Sequence, residues 1–237
     1  MQFQEILKER SQQDGEKMIS LVNTNTDFHS HLIPELDDGS RSYEESKDIL
    51  NKMKNRGIQN LVLTPHFNRA RFSYDKGFVS DKFRDFSNHF INMNINFILG
   101  AEIYLTPDIL EMDLITMGDS NYIMLELSFD NKQPFLYSVI DSLINKGFSI
   151  ILAHIERYGY FYKYKRSLFK ERVELSDDFF ELRKRGILFQ VNWSEIEKDS
   201  KKYKVLKENE MIDFIGSDKH RNEDRRPVID FNSAYFK

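Results

Sequence analysis

Residues 42–66, SYEESKDILNKMKNRGIQNLVLTPH, form one complete unit of a pattern repeated along the chain. Ser42 with Glu45 three positions on is a capping box, which satisfies free backbone N–H groups and opens a helix. Ser46, Ile49, Leu50 and Met53 give that helix one inward stripe, and Gly57 supplies its stop. The run that follows, NLVLTPH, is short and apolar without alternation, as in a strand buried on both faces of a parallel sheet. It ends on His66.

The same rhythm continues on both sides. Val79, Phe83, Phe86 and Phe90 mark a second helix, and NFILGAE a strand ending at Glu102. A short helix is expected over Pro107 to Met112, then the strand YIMLELSF from Tyr122 to Phe129. Pro134 suits a first helical position, with Phe135, Val139 and Leu143 as the apolar face before Gly147. FSIILAH is a strand, followed by a long aromatic loop, YGYFYKYK. Ser176 opens a helix carrying Phe179 and Leu182 and stopped by Gly186; ILFQVN is a strand, a short helix lies near Val205 and Leu206, and IDFIGSD is the last strand. Counting the stretch that ends at His29 gives seven strands. Helix–strand alternation of this kind predicts an α/β fold with a parallel sheet. A doubly wound open sheet is the rival, but no Gly-rich first turn favours it over a barrel.

Composition narrows the function. At 237 residues the chain suits one α/β barrel, and no linker divides it. The net charge of −4 argues against a general nucleic-acid binder. Absence of cysteine removes disulfides, zinc–thiolate sites and a thiol nucleophile together. No run approaches the roughly 18 apolar residues of a membrane span. The first 20 residues, MQFQEILKERSQQDGEKMIS, are too polar for a signal peptide, so a cytoplasmic protein without membrane insertion is expected.

Ionisable side chains collect at strand ends. His29 and His31 close the first strand, His66 the second, Glu102 the third and His154 the fifth; Glu126 lies near the end of the fourth, and Asp218 and His220 close the seventh. Asp38 follows the first strand and can fold over the same rim. Five of the six histidines lie in this set; His89 falls inside a helix and is excluded. In a barrel these ends share one face, where loops build active sites. Carboxylates packed together repel and raise one another's pKa unless cations intervene. Nitrogen and oxygen donors without sulfur suit manganese, iron or zinc. Nine donors are too many for one ion and suit two or three, and three divalent ions would outweigh the four carboxylates, leaving a cavity that attracts anions such as phosphate esters. Arg157, just past His154, and Arg225, just past His220, are placed to grip phosphoryl oxygens.

DFHSHLIPELDDGS, TPHF, GAEIYL, LELSF, AHIERY and GSDKH, in that order, resemble the polymerase-and-histidinol-phosphatase (PHP) superfamily, and most closely its bacterial tyrosine-phosphatase branch found with capsule and exopolysaccharide genes. The resemblance runs from about Asp27 to Arg225. It implies a distorted seven-stranded (β/α) TIM-like barrel, a single domain over 26–237 behind an N-terminal extension of 1–25, and three divalent metal ions, often Mn2+. It places His29, His31, Glu102 and Asp218 on one ion, Glu102, Glu126 and His154 on a second, and Asp38, His66 and His220 on the third, with Arg157 and Arg225 binding phosphate. It further implies removal of phosphate from phosphotyrosine, in the tail of a bacterial tyrosine kinase that controls polysaccharide export. Ile155 stands where the branch usually carries proline.

The expected chemistry is hydrolysis by a hydroxide held between two metals, attacking phosphorus in line. Arg157, Arg225 and the third ion would stabilise developing charge, and Asp218 would relay a proton. Tyr158, with Tyr160, Phe161, Tyr162 and Tyr164, either lines an aromatic slot for the substrate ring or packs on the barrel exterior. Histidinol phosphatases of the same superfamily share the metals but usually lack the D-D-G-S continuation. A nuclease is disfavoured by the acidic charge, and a metal-stabilised module that binds phosphotyrosine without turnover is disfavoured by the complete donor set.

Overall fold

The computed structural model describes residues 21, 24–68, 70–72, 74–166 and 171–236. The expected extension, 1–25, therefore lies almost wholly outside the described residues.

Among the described residues, eleven strands alternate with six α-helices: β1 (Thr26–Asp27), α1 (Tyr43–Asn55), β2 (Asn60–Leu63), β3 (His66–Phe67), α2 (Lys76–His89), β4 (Asn96–Leu99), β5 (Glu102–Tyr104), β6 (Tyr122–Glu126), α3 (Leu136–Asn145), β7 (Ser149–Leu152), β8 (Tyr162–Arg166), β9 (Glu171–Leu175), α4 (Asp177–Lys184), β10 (Leu188–Asn192), α5 (Trp193–Glu197), α6 (Lys201–Glu208) and β11 (Phe214–Gly216). The first helix forms as its sequence predicts. The Ser42 hydroxyl accepts from Glu45 N–H at 3.2 Å, and Gly57 leaves the helix at φ +86°, a conformation that costs glycine little.

Among the described residues the strands group as β1-β2-β4, β11-β10-β7-β6-β5-β3 and β8-β9, and every pairing is parallel except that of β8 with β9. Two of the expected strands are broken. Asn60–His66 divides into β2 and β3 around Pro65, which has no N–H to give a ladder, and Asn96–Glu102 divides into β4 and β5 at Gly100. Backbone bonds nevertheless tie the pieces together. Phe28 N–H donates to Ile215 O at 3.1 Å and Asp218 N–H to His29 O at 2.8 Å, while Thr64 N–H reaches Ser30 O at 2.8 Å and Glu102 N–H reaches Pro65 O at 3.1 Å. The first strand is thus held between the last and the second, and the parallel sheet curls into a half-barrel.

Alternation across the pleat sorts the side chains. Ile123 and Leu125 of β6, with Ile150 and Leu152 of β7, join the main core with Ile49, Leu50 and Met53 of α1, Val79 and Phe86 of α2, and Val139, Ile140 and Leu143 of α3. The alternate residues Met124, Ile151, Leu188 and Phe214 pack with Phe28, Val62 and Met117 in a second apolar cluster. Two residues further along these strands, on the same face, come Glu126 after Met124, Gln190 after Leu188 and Gly216 after Phe214. A dry plug therefore gives way to polar groups at the C-terminal ends of the strands.

The aromatic segment after His154 differs from the expected loop. Two 3-10 turns, Ile155–Arg157 and Gly159–Phe161, lead into the antiparallel β8–β9 hairpin. Phe161 and Tyr162 are buried and meet Phe179 of α4 at centroid distances of 5.6 and 5.4 Å.

Candidate metal centre and phosphate cavity

All nine proposed donors converge at the strand ends. They form four overlapping groups whose ligand atoms lie within 4.8 Å of one another: His31, Asp38, His66 and His220; His29, Glu102 and His154; His29, His31 and Asp218; and His66, Glu102 and Glu126. Glu102 is central. Its Oε2 stands 3.3 Å from His29 Nε2, 3.2 Å from His31 Nε2 and 3.1 Å from His66 Nδ1, and its Oε1 stands 2.5 Å from His154 Nε2. Eight of the nine are buried, and Asp38 is half-buried.

The polarity of several rings is fixed by groups that can act in one way only. His66 N–H donates to Asp37 Oδ2 at 2.9 Å, so that oxygen accepts, and His31 Nδ1 at 2.7 Å must donate to it. His220 Nδ1 lies 3.0 Å from the Asp218 carbonyl and must also donate. In the neutral rings each Nε2 then carries the lone pair and faces the cluster. Nε2 of His31 meets Nε2 of His29 at 3.0 Å. Two lone pairs cannot face each other at that distance unless a proton or a cation lies between them.

The electrostatics of the protein part carry the same message. Burial disfavours the charged form of His29 and His66, but the Glu102 carboxylate, joined by Asp218 at His29 and by Asp38 and Asp37 at His66, holds both rings up at about 9. Burial and then the negative charge of Glu102 push Glu126 up to about 7. Burial opposes ionisation of Asp218, yet His29, His154 and Arg226 hold it below the usual carboxylate range. Glu102 Oε2, Asp38 Oδ1 and His154 Nδ1 are buried without a hydrogen-bond partner. Buried polar atoms of this kind are normally satisfied, so a set of converging oxygens and imidazole nitrogens with partners missing fits divalent cations held by N and O donors.

Above the cluster opens a cavity of about 440 Å³ lined by Asp38, His66, Arg71, Glu102, Glu126, Phe129, Arg157, Asp218, His220, Arg221, Asp224 and Arg226. Arg157 Nη1 lies 3.4 Å and Arg226 Nη1 3.1 Å from the same oxygen, Asp218 Oδ2. Arg225, the sequence-based choice, is exposed and does not line the cavity. The correction has a local cause. Asp224 Oδ2 accepts from His220 N–H at 2.9 Å and Arg221 N–H at 3.0 Å, its Oδ1 accepts from Arg226 N–H at 2.9 Å and Lys219 Nζ at 2.7 Å, and the folded-back loop turns Arg226 inward.

Tyr158 requires a second correction. It is fully buried, and Leu127 N–H donates to its hydroxyl at 2.9 Å, so it cannot line an open slot. It supports Phe129, stacked on it at a centroid distance of 5.6 Å. Phe129 is 40% exposed, and the Arg157 guanidinium lies 4.1 Å from its ring centroid. Asp37, Gln190, Asn192, Arg71 and Phe129 were not anticipated from the sequence. Asp37 packs behind the donors instead, accepting from His31 Nδ1, from His66 N–H and from Gly39 N–H.

Together these features define a class: an α/β half-barrel with a candidate metal-binding cluster of nitrogen and oxygen donors beneath an arginine-lined cavity. The sequence profile described as "Capsular polysaccharide synthesis, CpsB/CapC" matches residues 25–237, and the chain belongs to that family. It is 28% identical over 220 residues to the tyrosine-protein phosphatase CpsB of Streptococcus pneumoniae, covering 86% of each chain. It is 24% identical over 210 residues to the tyrosine-protein phosphatase YwqE of Bacillus subtilis, covering 84% of this chain and 78% of that one. Among solved structures, one from a study of YwqE and S. pneumoniae CpsB, described there as unique metal-dependent tyrosine phosphatases, superposes with a TM-score of 0.71 at 22% identity, covering 85% of this chain and 81% of that chain.

Proposed function

We propose that this protein is a metal-dependent protein-tyrosine phosphatase of capsule or exopolysaccharide synthesis. The observation that carries the reading is the placement of two guanidiniums on one oxygen of Asp218, directly over a cluster of nine nitrogen and oxygen donors. Its relatives' names, tyrosine-protein phosphatase CpsB and YwqE, support the same substrate.

The nine donors would hold three divalent ions, with manganese as the metal. His31, Asp38, His66 and His220 would hold one, and Glu102 belongs to two of the three remaining donor groups that would hold the others. When bound, the ions neutralise phosphoryl charge and lower the pKa of water. Arg157 and Arg226 leave Asp218 Oδ2 and bind the non-bridging oxygens of the phosphoryl group, where their planar donors match it and stabilise charge as it develops. Phe129 offers a ring face to the phenyl ring of phosphotyrosine. The phenolate leaves readily, because a tyrosine hydroxyl has a pKa of about 10 and needs little protonation by the protein. Asp218 keeps its charge and holds the two arginines over the cluster until substrate binds, with any proton relay secondary.

The interstrand bonds on both sides of the first strand support one distorted seven-stranded barrel over 26–237, preceded by the extension 1–25. The natural partner is a phosphotyrosine-bearing tail of a bacterial tyrosine kinase in the cytoplasm, with no nucleic acid and no membrane insertion. No described helix is long and apolar enough to cross a membrane. The test is hydrolysis of a phosphotyrosyl peptide beside histidinol phosphate, by manganese-loaded and exhaustively chelated protein. Turnover of the peptide by the loaded protein alone is expected. Preference for histidinol phosphate, or activity that survives chelation, would overturn the reading.

A further inference from the structure

Strand β10 supplies none of the nine donors, yet it lies between β7 and β11, beside His154 and Asp218. Gln190 and Asn192 are alternate residues on it, so both point to the same face, and both are buried. Their hydrogen bonds form a directed chain. His154 N–H donates to Gln190 Oε1 at 2.7 Å, Gln190 Nε2 donates to Asn192 Oδ1 at 3.0 Å, and Asn192 Nδ2 donates to Asp218 Oδ2 at 3.1 Å. A backbone N–H at one end can only donate, and a carboxylate oxygen at the other can only accept. Both amides are therefore oriented without ambiguity. His29 Nδ1 lies 3.0 Å from the same Gln190 Oε1, which leaves that nitrogen one role, as donor. With Nδ1 as the donor, Nε2 is the nitrogen left to act as a ligand once the ring gives up its second proton, and it lies on the side of Glu102 and His31.

We infer that Gln190 is a positioning residue that locks the Nδ1–H tautomer of His29 and, through Asn192, turns the Asp218 carboxylate so that Oδ1 faces the histidines and Oδ2 faces the arginines. The fold makes room for it. A Cβ at Gly216 would fall 2.4 Å from His29 Cβ and 2.9 Å from Gln190 Nε2, so only glycine lets the amide pass there. One hydrogen-bonded path thus reaches His29, His154 and Asp218, which belong to two of the donor groups. Partners of this kind tune metal affinity by about 10- to 100-fold.

The inference rests on the metal-centre reading, and one experiment separates the two. Zinc, which is diamagnetic, is titrated into the full-length wild type, Gln190→Met and Gln190→Glu, and the imidazole N–H resonances are recorded by NMR beside zinc affinity. Wild type is expected to show a protected His29 Nδ1–H signal. Gln190→Met keeps the side chain's length but offers only a weakly accepting thioether in place of the amide oxygen; it should lose that signal and bind zinc at least about 10-fold more weakly. Gln190→Glu keeps an acceptor for both donors but not the amide that feeds Asn192, so it should retain the His29 signal while losing peptide turnover. A signal that persists in Gln190→Met, or vanishes in Gln190→Glu, overturns the inference. If Gln190→Met does not fold, the Glu variant alone decides by keeping or losing the signal. A wild type that binds no zinc sinks the metal reading itself, and this inference with it.

Discussion

Arg225 and Arg226 are adjacent in the chain, and nothing in their order says which one turns inward. The loop conformation set by Asp224 decides, and it chooses Arg226. Arg226→Ala should therefore lower kcat/KM for a phosphotyrosyl peptide by about 10²-fold, the usual effect of removing one donor to developing charge. Arg225→Ala should stay close to wild type; steady-state kinetics of both variants checks the assignment. Phe129 makes a similar point, since its role depends on Tyr158 standing behind it. Phe129→Ala removes a ring contact of about 0.5–1.5 kcal/mol, an increase in KM of about 2- to 10-fold for aryl phosphates. Small alkyl phosphates, which have no ring to stack, should show an unchanged KM. The convergence of the proposed donors was readable because a side chain at a strand end has one address in an α/β fold. The arginines and the ring were not, because loop register and stacking depend on neighbours far away in sequence.

Elements explain the remaining differences between expectation and structure. YKYKR alternates with the period of a strand, but its partner β9 is largely charged, and the pairing of Tyr162 with Leu175 becomes visible only in three dimensions. Strand β10 was legible as an apolar run, while its two amides looked incidental because neither is a metal donor. The neighbouring Asp213 shows how tightly this region is built. Its buried carboxylate accepts from Phe189 N–H at 2.7 Å and pairs with Arg183 Nη1 at 2.8 Å, and burial, partly offset by Arg183, keeps its pKa above the usual value. Removing one partner of a buried pair leaves an uncompensated charge. Arg183→Ala should destabilise the protein by about 3 kcal/mol, read as a lower urea midpoint at unchanged slope, and metal content should be retained.

At the scale of the molecule, the cluster is a liability that the proposed cations would convert into an asset. Ligands that bind only the folded chain stabilise it by mass action. At a free concentration of about 100 times Kd one ion adds about 2.7 kcal/mol, or roughly 5–10 °C in Tm for a chain of this size. Chelation should lower Tm by at least that amount, and re-addition of manganese should restore it. The alternation of helix and strand, the parallel sheet and the shared rim were all present in the sequence as periodicity. The breaks at Pro65 and Gly100 were less visible, because an apolar run does not show where its ladder lapses. The most direct test of the whole account is the metal content of manganese-loaded protein, measured by elemental analysis on wild type and Glu102→Ala. Wild type should hold three ions per chain, and Glu102→Ala, which removes the carboxylate shared by two donor groups, should hold fewer. Wild type without bound metal, or an undiminished count in Glu102→Ala, would contradict it.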